Sequence, residues 1–422
     1  MTTEPPAPAP PDHYDPADVA AMLREIGIAL VEVSQPVQVV EERLLRIAGR
    51  YTTDRVRAAV LPTVLFIQVG STHEMEGSAQ PSSRLDMAAS VDEIARLAGA
   101  GAISPRDAVA AVHAARMRPP RFGSVATILG YALTTVGFGM MTEPSWRALS
   151  AHLFLGLVVG LIVQIGRPLP TLTPILPTLS AVVVTLLATW FVADVAHDGL
   201  LRVISPALIA TLPGMALVVG SIELASGRIV SGASRTVYGI AQLGLLVYGV
   251  VLGVRIAGEV TEQQASATMG AWSLYASIVV IAVGLYVYLS APRGSLLWLV
   301  LIIAVATLTQ TVAGLVLNAA HSGFIAAAVA IPFALLASRL KGAPPASMLA
   351  LAAFWSMVPG QLTFMSVSRK ASGDYANTAS LSVAAGAVVS IALGTLVGWS
   401  LVRTLAARGR RPESHPSLRP TV

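Results

Sequence analysis

The sequence predicts an all-α polytopic membrane protein, with about ten transmembrane helices arranged as two inverted five-helix repeats behind a small N-terminal α+β domain. Three observations carry this expectation. The 422 residues are 54% hydrophobic and 12% charged, with a mean hydropathy of +0.70, against about 25% charged residues in soluble domains. The charge is also segregated: residues 1–122 hold 15 of the 23 acids, and residues 123–402 hold seven, Glu143, Asp194, Asp198, Glu223, Glu259, Glu262 and Asp374. Finally, one stretch returns 146 residues later without a gap. Pro213-Gly214 maps onto Pro359-Gly360, Ala225-Ser226-Gly227 onto Ala371-Ser372-Gly373, and Ala233-Ser234 onto Ala379-Ser380, so that seven of the 22 positions from 213 to 234 are identical. Matches of that density, two helix breakers among them, mark an internal duplication.

Residues 1–15 form a Pro/Ala-rich tail without an apolar core, which reads as disordered rather than as a signal peptide. Residues 16–121 make the α+β unit. A helix is expected from Asp18 to Ser34, because Val19, Met22, Leu23, Ile26, Leu30 and Val33 recur at spacings of three and four. A second begins at Pro36, a favoured first helical position, with Val37, Val40, Leu44 and Ile47 inward. Two short strands, 56–60 and 63–69, are hinged at Pro62. Ser90-Val91-Asp92-Glu93 reads as a capping box opening a helix to Ala98, and Ser104-Pro105 opens another to Arg116. His73, Glu74 and Glu76 read as loop residues after the second strand.

Ten apolar runs follow, at 123–141, 147–166, 174–194, 203–222, 236–256, 270–290, 295–317, 321–338, 346–367 and 377–402. Five belong to a first repeat, residues 122–260, and five to a second, residues 261–403, ahead of a basic tail at 404–422. An odd number of spans per repeat forces the repeats into opposite orientations, the inverted-repeat architecture of secondary transporters. With the N-terminus inside, 13 Lys and Arg fall on inner loops and five on outer ones. The positive-inside rule then places both termini in the cytoplasm.

Pro213 and Pro359 each interrupt an apolar run near its middle. A Pro inside a helix removes one hydrogen bond and clashes with the carbonyl four residues back, here those of Ile209 and Trp355. In lipid such breaks are tolerated where they face protein or a water-filled cavity. Gly214-Met215 and Gly360-Gln361 open the half-helices beyond the breaks. Their free N–H groups suit a carboxylate, and the freed carbonyls suit an ammonium. Ile209, Pro213, Gly214, Met215, Trp355, Pro359, Gly360 and Gln361 are therefore the candidate substrate-binding residues, and a small zwitterion is the ligand they fit; the rival reading is a pair of kinked, packed helices. Intramembrane carboxylates often lie on proton or ion pathways. Glu223 is the sharpest proton-coupling candidate, against the alternative of a solvated loop acid near Arg228. Asp194 and Asp198 flank His197 at the end of the third run, where a proton relay, a metal site or a solvated helix end are all open.

Several chemistries are excluded. Without cysteine there are no disulfides, thiolate metal sites or thiol nucleophiles. No P-loop, GxGxxG or GxSxG is present, and the His73 region lacks HExxH spacing. The basic residues lie at the ends of apolar runs rather than on a soluble face, so nucleic acid is not a partner. The expected partners are a small solute and the lipid bilayer, with homo-oligomerisation left open and no catalytic residue, cofactor or metal beyond a proton gradient.

The helix pair at 18–49, the strands through Leu61-Pro62-Thr63, the Arg84-Leu85-Asp86 stretch and the helices at 90–116 resemble the N-terminal domain of the bacterial threonine/serine exporter family. The likeness continues through Leu212-Pro213-Gly214, Ser226-Gly227 and Ser231-Gly232, and Val358-Pro359-Gly360 is similar to the family's second membrane unit, here fused in one chain. The resemblance implies proton-motive-force-driven export of threonine and serine across the bacterial cytoplasmic membrane. An Asp stands in the family pattern where this chain has Glu223, so the carboxylate is kept. Two-component relatives imply the alternative of dicarboxylate export, and a membrane enzyme with a hydrolase-like N-terminal domain is the more distant one.

Overall fold

The computed structural model describes residues 14–77, 84–142, 144–166, 168–169, 171–192, 200–258, 268–318, 321–357 and 379–409. The N-terminal domain opens with α1 (Pro16–Glu32), where the Asp15 carboxylate accepts the Ala17 N–H at 2.9 Å. It continues with α2 (Val37–Ala48), an antiparallel sheet β1 (Val56–Val60), β2 (Val64–Val69) and β3 (Thr72–Gly77), then α3 (Leu85–Ala100) and α4 (Pro105–Met117). Val19, Leu23, Ile26 and Leu30 of α1 pack with Leu44, Leu65, Ile67 and Val91 in one core, as the three-four spacing requires. Ser104 caps α4 by accepting the Asp107 N–H at 3.2 Å.

Three local expectations need correction. Pro36 is the N-cap of α2 rather than its first residue. His73, Glu74 and Glu76 lie on β3, not on a loop: the inward-leaning side chains of Glu74 and Glu76 are charged, which hides the strand, and both pair with Arg24 at 2.9 and 2.8 Å. The third helix starts at Leu85, and the Ser90 hydroxyl donates to the Asp86 carbonyl inside it instead of capping it.

Glu25 of α1 is buried and meets Arg24, Arg116 and His113 at 2.9, 2.6 and 3.3 Å. Burial pushes its carboxyl upward, but Arg24, Arg116 and His113 together outweigh that and hold it below 4.5. A depressed folded pKa contributes stability that is present above the unfolded value and lost as pH falls through the folded one. Thermal melts of Glu25→Gln are thus expected to fall below wild type at pH 7, with the gap closing as pH drops below about 4.5.

The remainder is helical: α5 (Ser124–Met140), α6 (Trp146–Gly166), α7 (Leu176–Leu187) running into a π-turn at Ala188–Val192, α8 (Leu200–Ala207), α9 (Gly214–Ala225), α10 (Ile229–Ala257), α11 (Trp272–Tyr288), α12 (Leu296–Gly314), α13 (Ser322–Ala337), α14 (Ala346–Met357) and α15 (Ala379–Gly409). Among the described residues, α6, α10, α12 and the 385–405 part of α15 are long and apolar enough to cross a membrane; the bent pair α8–α9 adds a fifth. α5, α7, α11, α13 and α14 are shorter apolar helices. α15 continues to Gly409, past the expected limit at 403.

Glycines set the closest crossings. Gly249 and Gly253 of α10 face Thr178, Ala181, Val182 and Thr185 of α7, while Gly394 and Gly398 of α15 face Phe324, Ala327, Ala328 and Ile331 of α13. Small residues let backbones approach where no hydrophobic force drives helices together. Between α5 and α11, Gly137 meets Ile281 and Gly284 meets Thr134.

Candidate functional site

The Pro213 break is present. α8 ends at Ala207, a 3₁₀ turn covers Ile209–Thr211, Leu212 is extended, and α9 restarts at Gly214 with an overall bend of 63°. The carbonyls before the break accept from protein donors. Tyr131 Oη donates to the Ala207 carbonyl at 2.6 Å, the Thr211 N–H and hydroxyl donate to that of Leu208 at 2.9 and 2.6 Å, and the Leu212 N–H to that of Ile209 at 3.3 Å. Protein groups satisfy here what lipid cannot. The Ile209 carbonyl thus has one protein donor and keeps a second lone pair. The Trp355 ring meets that of Tyr288 at 6.4 Å, which in turn meets Tyr131 at 5.0 Å. That aromatic row runs from α14 through α11 and α5 to the break.

A cavity of about 740 Å³ lies against the next helix, within the range of roughly 300–1,000 Å³ typical of ligand pockets. Met215, Val219 and Ile222 line it from α9 at the four- and three-residue steps of one helical face. Leu335 of α13, Phe354 of α14 and Thr395 and Trp399 of α15 line it from other helices, and the α1–α2 turn, α2 and α3 close it from the N-terminal domain. Of the expected substrate residues described, Met215 lines this cavity; Ile209, Pro213, Gly214 and Trp355 do not. Pro359, Gly360, Gln361, Asp194 and Asp198 lie outside the described residues. Of the membrane-helix lining, the sequence marks Met215 alone. The N-terminal lining, Gln35 and Arg43 included, carried no signal, because nothing in a sequence shows one domain folding back over another.

Glu223 is fully buried, so the solvated-loop reading fails. Its Oε1 accepts the Val37 N–H at 3.0 Å, and its Oε2 lies 3.2 Å from Arg235 Nε, close enough for an ion pair though not aligned as a hydrogen bond. The first N–H groups of a helix have no intrahelical acceptor, and Pro36 offers no side-chain cap. A carboxylate from α9 therefore caps α2 from across the molecule, at the end where the helix dipole favours negative charge. Arg228, the nearest cation along the chain, pairs with Glu41 at 3.0 Å instead. Glu42 pairs with Arg403 at 2.6 Å, and Gln38 donates to Ser226 at 3.4 Å.

These contacts differ in strength. Removing one member of a buried pair costs about 3–5 kcal/mol, whereas exposed pairs are worth about 0–1 kcal/mol. Glu223 is inaccessible and the Arg235 side chain is 13% exposed, while Glu42 and Arg403 are 46% and 68% exposed. A second contact ties the domain down elsewhere: the Leu85 N–H donates to the Leu289 carbonyl at 2.8 Å, and Arg121 donates to that of Ala291 at 3.1 Å. Among the described residues, no group of His, Asp and Glu could hold a metal ion.

The family model described as "Putative threonine/serine exporter" matches residues 21–257, more than half of the chain. The chain belongs to that family. No curated protein and no solved structure matches it. The exporter-family match takes in nearly all of the N-terminal domain and every helix through α10, hence the first break, Glu223, Arg235 and the Val37 contact. It agrees with a multi-pass membrane protein that handles small molecules in lipid. Helices α11–α15 lie beyond it.

Proposed function

We propose that the chain is a proton-motive-force-driven secondary exporter of small amino acids, threonine and serine, in the cytoplasmic membrane, and that the cavity beside α9 is its substrate path. The observation that carries this reading is the position of the cavity. It is bounded by α9 from one set of helices, by α13, α14 and α15 from the other, and by the N-terminal domain at one end. Binding sites of secondary transporters lie at such seams between repeats.

In this reading the ten apolar runs are ten spans in two inverted repeats. Support comes from equivalent packing: α5 on α6, α7 on α10 and α6 on α8 correspond to α11 on α12, α13 on α15 and α12 on α14. The glycine crossings of α10 and α15 repeat residue by residue at almost the offset of the Pro-Gly pairs. The α5–α11 contacts are reciprocal, as at a two-fold axis, where i meets j and j meets i. The segment ends near Arg228, Arg293, Lys341 and Arg403 are assigned to the cytoplasmic side together with both termini.

Glu223 carries the proton coupling. Charged, it holds Arg235 and accepts the Val37 N–H, with the Arg228–Glu41 pair and the Ser226–Gln38 contact beside it; protonated, it loses the charge opposite Arg235 while an oxygen remains for the Val37 N–H. Cells loaded with threonine- or serine-containing dipeptides test the function. Cells with the protein should release the freed amino acid faster than cells lacking it, and an uncoupler should abolish the difference. Accumulation of a dicarboxylate in the deficient cells, with amino-acid efflux unchanged, would favour the other substrate class.

A further inference from the structure

The N-terminal domain has a place in this arrangement that its fold alone does not announce. Consecutive residues of α2 hold opposite sides of the cavity. Glu41 pairs with Arg228 at the start of α10, in the first set of helices, and Glu42 pairs with Arg403 near the end of α15, in the second. Between them the α1–α2 turn and α2 line the cavity with Ser34, Gln35, Pro36, Val39 and Arg43. Ser34 holds a left-handed backbone, φ 62°, which non-glycine residues rarely adopt. The turn is thus kept in a strained conformation where it borders the cavity.

We infer that the N-terminal domain is the gate of the substrate path, with α2 as a strap across the seam between the two helix sets. The inference rests on the cavity being that path. Glu223 is the pivot, because its contact with the Val37 N–H is buried and lies on the first-set side. The Glu42–Arg403 pair is the releasable catch, because it is exposed on both sides and worth little in water. Opening frees α2 from α15 while α2 stays attached to α9 and α10 and the start of α3 stays tied to the second set through the Leu85 N–H and the Leu289 carbonyl. The small amino acid, taken up from the side on which the N-terminal domain lies, passes between α2 and the second set to reach Met215, Phe354 and Trp399. Glu223 acts here as a positioning residue.

The natural chain has no cysteine, so introduced pairs are the only thiols. Two full-length variants, Glu42→Cys/Arg403→Cys and Glu41→Cys/Arg228→Cys, are reconstituted and bridged with a bis-methanethiosulfonate linker that dithiothreitol cleaves. Bridging is confirmed by mass spectrometry, and proton-driven threonine and serine transport is measured before bridging, after it and after cleavage. The bridge at 42–403 should reduce transport at least tenfold and cleavage should restore it, whereas the bridge at 41–228 should change transport less than twofold. Transport undiminished by the 42–403 bridge overturns the gate. Equal inhibition by both bridges overturns the pivot on Glu223. Wild-type protein that transports neither amino acid overturns the exporter reading instead, and the two failures are distinct.

Discussion

Glu223→Gln is expected to abolish gradient-driven export, and a second substitution separates the two physical reasons it could do so. Glutamine keeps an oxygen for the Val37 N–H, so the cap on α2 survives in form. It removes the charge opposite Arg235, whose side chain is largely buried. An uncompensated buried cation costs about 3–5 kcal/mol, enough to lower the melting temperature by several degrees and to loosen the N-terminal domain. Lost export in the single variant is therefore ambiguous between a lost proton carrier and a lost ion pair. The double variant Glu223→Gln/Arg235→Gln removes both charges, and replacing a buried pair by neutral groups is often close to neutral for stability. Its melting temperature should return to near wild type while export stays absent, because no titratable carboxylate remains. Recovery of export along with stability would make Glu223 a structural partner of Arg235 and nothing more. Wild-type export by the single variant, with the same dependence on pH, would remove Glu223 from the mechanism altogether.

That residue also shows how far the sequence reaches. A carboxylate behind a broken apolar run stands out, because burying charge in lipid is expensive. Pro213-Gly214 is legible as an interruption for the same kind of reason, since a proline cannot continue the hydrogen-bond ladder. Local rules run out at partners. Arg228 is the nearest cation along the chain, yet Arg235 is the one that turns toward Glu223, and Val37 is 186 positions away. Pro213 removes the α-helical donor to the Ile209 carbonyl, and the Leu212 N–H donates to it from a 3₁₀ turn, which no local rule indicates. β3 carries no strand pattern, because Glu74 and Glu76 lean toward the core side only by virtue of Arg24 on α1. The cavity itself was legible at Met215 alone, since its other walls come from elements whose approach no periodicity encodes.

The glycines of the seam helices were legible as composition but not as contacts, and they support the second large effect. Gly394→Ala is expected to prevent stable packing of α15 on α13. A methyl at that position would overlap the Phe324 carbonyl oxygen and lie 3.0 Å from the Ala327 Cβ. A backbone atom cannot swing aside as a flexible side chain can, so the helices must separate. Overpacking of this kind costs about 1–3 kcal/mol, occasionally more, and here it acts on the wall that carries Thr395 and Trp399. Gly249→Ala should do comparable damage between α10 and α7, where the methyl would lie 2.7 Å from the Thr178 carbonyl oxygen. Gly244→Ala is the control: nothing lies within 4 Å of its methyl, and alanine is favoured over glycine in a helix by about 0.5–1 kcal/mol. The measurement is the fraction of monodisperse protein after solubilisation, with the melting temperature of what remains. Losses at 394 and 249, beside an unchanged or raised value at 244, would follow from two equivalent close crossings. Tolerance of alanine at both 394 and 249 would mean that the helices do not approach as closely as the glycines allow, and the correspondence between the two helix sets would lose its strongest support.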